Sequence, residues 1–158
     1  MSKTANSSES PVAEMNSSTA AGGPGPASPL ADRHRLLARY LYAADLVAGK
    51  RVLDIECGTG HGAALLADKG AQAVVGLRLS GGSGAGDAAL PPQVRIHAAD
   101  RAQLLQRGGL AQMAGEARFD VVFLSADPAL LKAAGFLGEL RRALAPTGHL
   151  VVGARSKE

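Results

Sequence analysis

The sequence predicts an α/β fold, five strands with flanking helices. Two observations carry that expectation. Short apolar, β-branched runs alternate along the chain with stretches of helical spacing, the pattern of strand-helix-strand units. The first run, Arg51-Val52-Leu53-Asp54-Ile55, then breaks into a glycine turn, Glu56-Cys57-Gly58-Thr59-Gly60, and into a helix-forming segment from His61. A strand thereby delivers its carboxyl end to a helix N-terminus. Such a junction suits a ligand, because turns without side chains admit it to the backbone and the exposed N–H groups favour electron-rich atoms.

A chain of 158 residues with 46% hydrophobic content is enough for one domain with its own core. Aromatic residues make up 3% and Trp is absent, so Leu, Val and Ala must build that core. The formal charge of +3 is spread over scattered arginines rather than a basic stripe interleaved with aromatics, and a nucleic-acid partner is not expected. A single cysteine excludes an internal disulfide and fits a reducing compartment. No apolar run is long enough for a membrane span, and the polar N-terminus has no signal-peptide core, so the expected setting is cytoplasmic with no membrane partner.

Residues 1–28 are rich in Ser, Ala, Gly, Pro and Asn; ordering them would cost entropy without compensating burial, and they read as a disordered tail before a domain at 29–158. Ser28-Pro29 reads as a cap and first helical residue. Leu36, Leu37, Tyr40, Leu41, Ala44 and Val47 then recur at helical spacing, and Gly49 ends the helix. Tyr40 is expected in the core and His34 in solvent. The first strand is Arg51 to Ile55; the helix from His61 is stopped by Gly70. Cys57 reads as a small residue packed in a tight turn rather than a reactive thiol, and His61 as a solvated histidine.

The second strand is Ala73 to Leu79. Residues 80–92 follow with glycine density incompatible with a stable helix. The third strand spans Gln93 to Ala98, and Asp100 sits ahead of a helical piece as an N-cap candidate. Arg101 to Arg107 and Leu110 to Ala117 read as short helices, Phe119 to Leu124 as the fourth strand. Asp127-Pro128 reads as a cap opening one long helix, with Leu130, Ala133, Ala134, Leu137, Leu140 and Leu144 on its apolar face and Pro146 at its end. His149 to Gly153 makes the fifth strand.

The first-strand motif, Asp54 followed by Gly58 and Gly60, resembles that of the class I S-adenosylmethionine-dependent methyltransferases. The run Phe119-Asp120-Val121-Val122-Phe123-Leu124 is similar to that family's fourth strand, and the stretch from Leu140 to Val152 to the helix and turn leading into its fifth. The resemblance covers roughly residues 31 to 154 and implies an open, doubly wound, mainly parallel Rossmann-like sheet, here truncated after strand five. It implies a cofactor site at Asp54, Glu56, Gly58, Gly60, Arg78 and Asp100, with no metal and no residue carried over as catalytic. Asp100 falls where the family often has an acid reaching the adenine amino group.

Four departures from the family pattern bear on function. Arg78 stands near the end of strand two, where the family usually places an acid that accepts hydrogen bonds from both ribose hydroxyls; a guanidinium has donors only. Glu56 replaces the first glycine of the turn and brings bulk and charge, and can pair with Arg78 across the crevice. The helix after strand two is lost or shortened, and the family's elements after strand five are missing, which leaves an exposed apolar edge. The sequence is therefore expected to be part of a longer protein, or to have that edge covered by a protein partner, by self-association or by a further domain. The leading expectation is a methyltransferase-like domain that has lost normal S-adenosylmethionine binding and serves as a protein-interaction or scaffolding module. An active methyltransferase, or its cofactor-binding half, is the alternative. A second alternative is an NADP-type dinucleotide binder, because Gly58-x-Gly60-x-x-Ala63 fits a relaxed glycine fingerprint and Arg78 can accommodate a 2′-phosphate.

Overall fold

The computed structural model describes residues 29–79, 89–125 and 128–153. One sheet holds five strands, β1 (Arg51–Ile55), β2 (Ala73–Leu79), β3 (Val94–Ala99), β4 (Phe119–Leu124) and β5 (Leu144–Val152), in the order β3-β2-β1-β4-β5. Every neighbouring pair is parallel. The chain steps outward from β1 through β2 to β3, then returns to the far side of β1 for β4 and β5. The order therefore reverses between β1 and β4, and the crevice at the carboxyl ends of those strands is where an open α/β sheet presents a ligand site.

Central position explains the composition of β1. After the exposed Arg51, its residues Val52, Leu53, Asp54 and Ile55 are all buried, as a strand covered on both faces requires. On one face pack α1 (Pro29–Tyr42), a 3-10 turn (Ala44–Leu46) and α2 (His61–Asp68), burying Tyr40, Val47, Val52, Leu66, Val74 and Phe123 together. On the other pack α3 (Arg101–Leu104), α4 (Gly109–Ala114), α5 (Pro128–Lys132) and α6 (Phe136–Ala143), which close over Leu53, Leu77, Leu124 and Phe136. The alternation of faces along each strand has sorted the aliphatic residues into two layers.

Several expectations need correction. The first helix stops at Tyr42 rather than near Gly49, and Leu41, expected on its apolar face, is 53% exposed. The expected long helix is two, because Gly135 takes φ +81° and opens α6 as a left-handed N-cap. Leu144 belongs to β5, not to that helix: it pairs with Phe119, and the ladder resumes only at His149 opposite Val121, so Ala145 to Gly148 bulge out between. The helices after Asp100 are shorter than expected. The tail at 1–28, the lost helix at 80–88, Asp127 and residues 154–158 lie outside the described residues.

Candidate functional site

The turn between β1 and α2 is built on three left-handed residues, Glu56 (φ +66°), Gly58 (φ +55°) and Gly60 (φ +88°). Cys57 N–H continues the sheet by donating to the Leu77 carbonyl at 3.1 Å, and Gly60 N–H closes the turn on the Cys57 carbonyl at 3.0 Å. Gly60 then caps α2. It admits no side chain, since a Cβ there would stand 2.6 Å from the Ile96 Cδ1. Above Gly58, by contrast, no described atom lies within 4 Å of where a Cβ would be. Glu56 is the one described non-glycine residue at positive φ, in a conformation that costs an L-residue about 1 kcal/mol or more.

Arg78, the penultimate residue of β2, reaches this turn. Its Nε donates to the Gly58 carbonyl at 2.9 Å, so the guanidinium is fixed two residues from Glu56. Arg78 thus joins the turn that carries Glu56, Gly58 and Gly60.

Asp54 is set apart from them. It is fully buried, and both of its carboxylate oxygens lie within hydrogen-bond distance of the Tyr40 hydroxyl, at 2.9 and 3.2 Å. Burial pushes the Asp54 carboxyl up to about 7, against the opposing hydrogen bond from Tyr40. The phenol is in turn pushed far above its ordinary range, by burial first and then by the Asp54 charge. Tyr40 stacks on Phe123 with ring centroids 5.4 Å apart and lies directly over Gly62, where a Cβ would come within 2.1 Å of the ring. The first helix is thereby pinned beside the glycine turn.

Cys57 is buried against Gly76, and burial followed by the nearby Asp54 charge pushes its thiol up to about 12. It is a packing residue, as expected. Asp100 caps α3, accepting from Ala102 N–H at 2.6 Å and Gln103 N–H at 3.3 Å. His61 and His34 are exposed, His61 within 2.6 Å of the Thr59 hydroxyl. Two residues were missed as polar anchors. Tyr40 was expected in the core, but not as the partner of Asp54; a carboxylate inside an apolar strand needs a donor, and that need is the signal. Glu139 is also buried, held by Gly108 N–H at 3.0 Å and by Arg142. Among the described residues there is no group of three His, Cys, Asp or Glu that could hold a metal, and no helix long and apolar enough to cross a membrane.

No protein-family model and no curated protein matches the sequence. Solved structures do match. A S-adenosylmethionine-dependent methyltransferase from Mesorhizobium loti is 25% identical, over 72% of this chain and 52% of that one, with a TM-score of 0.54. A second, from Thiobacillus denitrificans in complex with S-adenosyl-L-homocysteine, is 25% identical over 73% of this chain and 46% of that one, with a TM-score of 0.50. The fold is that of the S-adenosylmethionine-dependent methyltransferases. A third match, to the cyclase SpnF, is 26% identical over 77% of this chain and 44% of that one, with a TM-score of 0.55. The chain spans about half the length of these structures.

Tested against S-adenosylmethionine, the methyltransferase-like site divides in two. The turn fits, because the space over Gly58 lets a ligand approach the backbone. The sugar side departs from it: Arg78 offers only donors at the position where the resemblance implies an acceptor for the ribose hydroxyls.

Proposed function

We propose that this methyltransferase-fold domain has lost normal S-adenosylmethionine binding and works in the cytoplasm as a protein-interaction or scaffolding module rather than by transferring methyl groups. One observation carries the reading: Arg78 at the end of β2, hydrogen-bonded to the Gly58 carbonyl. Exchanging an acceptor for a donor leaves ribose hydroxyls without their match and costs about 1–3 kcal/mol for each buried polar group left unpaired, or roughly a hundredfold in affinity. Glu56 adds bulk and charge to the same turn. The similarity to a cyclase supports separating fold from reaction, since a shared architecture does not fix the chemistry placed on it.

A second reading is favoured by the retained turn. Gly58 and Gly60 keep the left-handed geometry that opens a strand end to a ligand, and two similar structures at 25% identity are methyltransferases by name. In that reading the chain is the cofactor-binding part of an active methyltransferase. Calorimetry with S-adenosylmethionine, S-adenosylhomocysteine and NADPH decides. The proposal expects no micromolar binding of the first two. Micromolar binding of either replaces it with the second reading, and binding of NADPH alone makes the site a dinucleotide site read by Arg78.

A further inference from the structure

On the face covered by α3 to α6, a cavity of about 310 Å³ opens between α4 and α6, beside Phe119, the first residue of β4. The buried Leu110 and Phe119 form its apolar interior, and alanines on both helices, Ala111, Ala114 and Ala143, leave the gap unfilled. Glu139 fixes the two walls. Its carboxylate accepts from Gly108 N–H at 3.0 Å, just ahead of α4, and pairs with Arg142 on its own helix. The cavity is therefore preformed, and an occupant spends nothing on opening it.

Charge around the mouth is one-sided. Arg51, Arg107, Arg118 and Arg142 are all exposed. Arg107 and Arg142 line the cavity, Arg118 donates to the Leu144 carbonyl next to Ala143 at 3.4 Å, and the Arg51 guanidinium lies over the Phe119 ring, 5.9 Å from its centroid. The nearby acids are mostly spent on the fold. Glu139 is buried, and Asp120 accepts from the Arg51 backbone N–H at 2.9 Å, which leaves Glu116 as the exposed acid of the lining. Arginines scattered along the sequence are thus brought to one patch around an apolar hole.

We propose that this cavity receives one large apolar side chain of an acidic peptide segment, whose flanking carboxylates pair with Arg107, Arg118 and Arg142. Its volume lies at the lower limit of ligand pockets, about 300–1,000 Å³, and suits a single anchoring side chain. The guanidinium fringe selects acidic flanks. A nucleic acid is the poorer match, because a phosphate backbone has no apolar anchor and the one exposed aromatic among the described residues, Tyr42, stands on α1 across the sheet. The inference gives the interaction-module reading a partner and rests on it for that partner being a protein. The site itself is separate: it opens beside the first residue of β4, whereas the glycine turn follows the last residue of β1.

Fluorescence anisotropy of a labelled peptide, Glu-Glu-Glu-Phe-Glu-Glu-Glu, titrated with the 158-residue chain tests this. The expected result is saturable micromolar binding that weakens about tenfold or more when the peptide's Phe is replaced by Ala, and about tenfold or more with Arg107→Glu or Ala111→Trp. Arg107→Lys should retain it. Both positions are exposed, so the circular dichroism spectra should match the wild type, and the peptide replacement needs no variant chain at all. No binding, binding indifferent to the peptide's Phe or to Ala111→Trp, or displacement by a thymidine oligonucleotide of equal length would each overturn the proposal. S-adenosylhomocysteine titrated into the same sample keeps the two readings apart. Its binding with the peptide still bound overturns the cofactor-loss reading alone, and failure of the peptide with no cofactor binding overturns the docking site alone.

Discussion

The Tyr40 hydroxyl lies 2.9 and 3.2 Å from the two carboxylate oxygens of Asp54 and provides a donor for a charge that the central strand has taken out of water. This contact ties the first helix to the strand that carries the glycine turn.

Its pH consequence has a definite sign. Asp54 titrates near 7 in the fold against an ordinary value of 3.8, so the folded chain holds the proton more tightly than the unfolded one. The stability this supplies is fully present below about pH 4 and is lost as pH rises towards 7. Asp54→Asn should flatten that part of the stability-against-pH curve and raise the urea midpoint above neutrality. An unchanged slope would place the titration elsewhere.

Gly62→Ala sets two effects against each other. Alanine in a helix gains about 1 kcal/mol over glycine. The new Cβ, however, would stand 2.1 Å from the Tyr40 ring and must displace it from Asp54. Overpacking and the lost hydrogen bond together cost about 2–5 kcal/mol, so urea denaturation should show net destabilisation.

Glu56→Gly should stabilise the chain by about 1 kcal/mol with no ligand present, because glycine relieves the left-handed strain at φ +66°. A urea midpoint at or below that of the wild type would contradict the strain.

With its thiol pushed up to about 12 and the side chain buried, Cys57 should resist iodoacetamide at neutral pH in the native chain and react once the chain is denatured. Mass spectrometry of the alkylated protein reads both states.

The strands were legible because their signal is local. Bounds expected for β1, β2 and β4 coincide with those observed, since each is a compact apolar run closed by turn residues. The α5–α6 break was missed although Gly135 stood in the sequence: the apolar spacing on either side of it stays in helical phase, and only the backbone angle reveals the stop. The bulge in β5 was missed because Leu144 suits a helix or a strand equally and is placed by Phe119 across the sheet. Of the candidate site, Arg78 and the glycine turn were singled out from position along the chain. The hydrogen bond from Tyr40 to Asp54, fourteen residues apart and on different elements, depends on tertiary packing over Gly62, which no periodicity encodes.

Calorimetric titration of S-adenosylhomocysteine into the wild type and into Arg78→Asp/Glu56→Gly tests the central claim most directly. The expected result is no micromolar binding to the wild type and a gain of about a hundredfold or more in the double variant, as an acceptor returns to the end of β2. Micromolar binding to the wild type, undiminished relative to the variant, would contradict it.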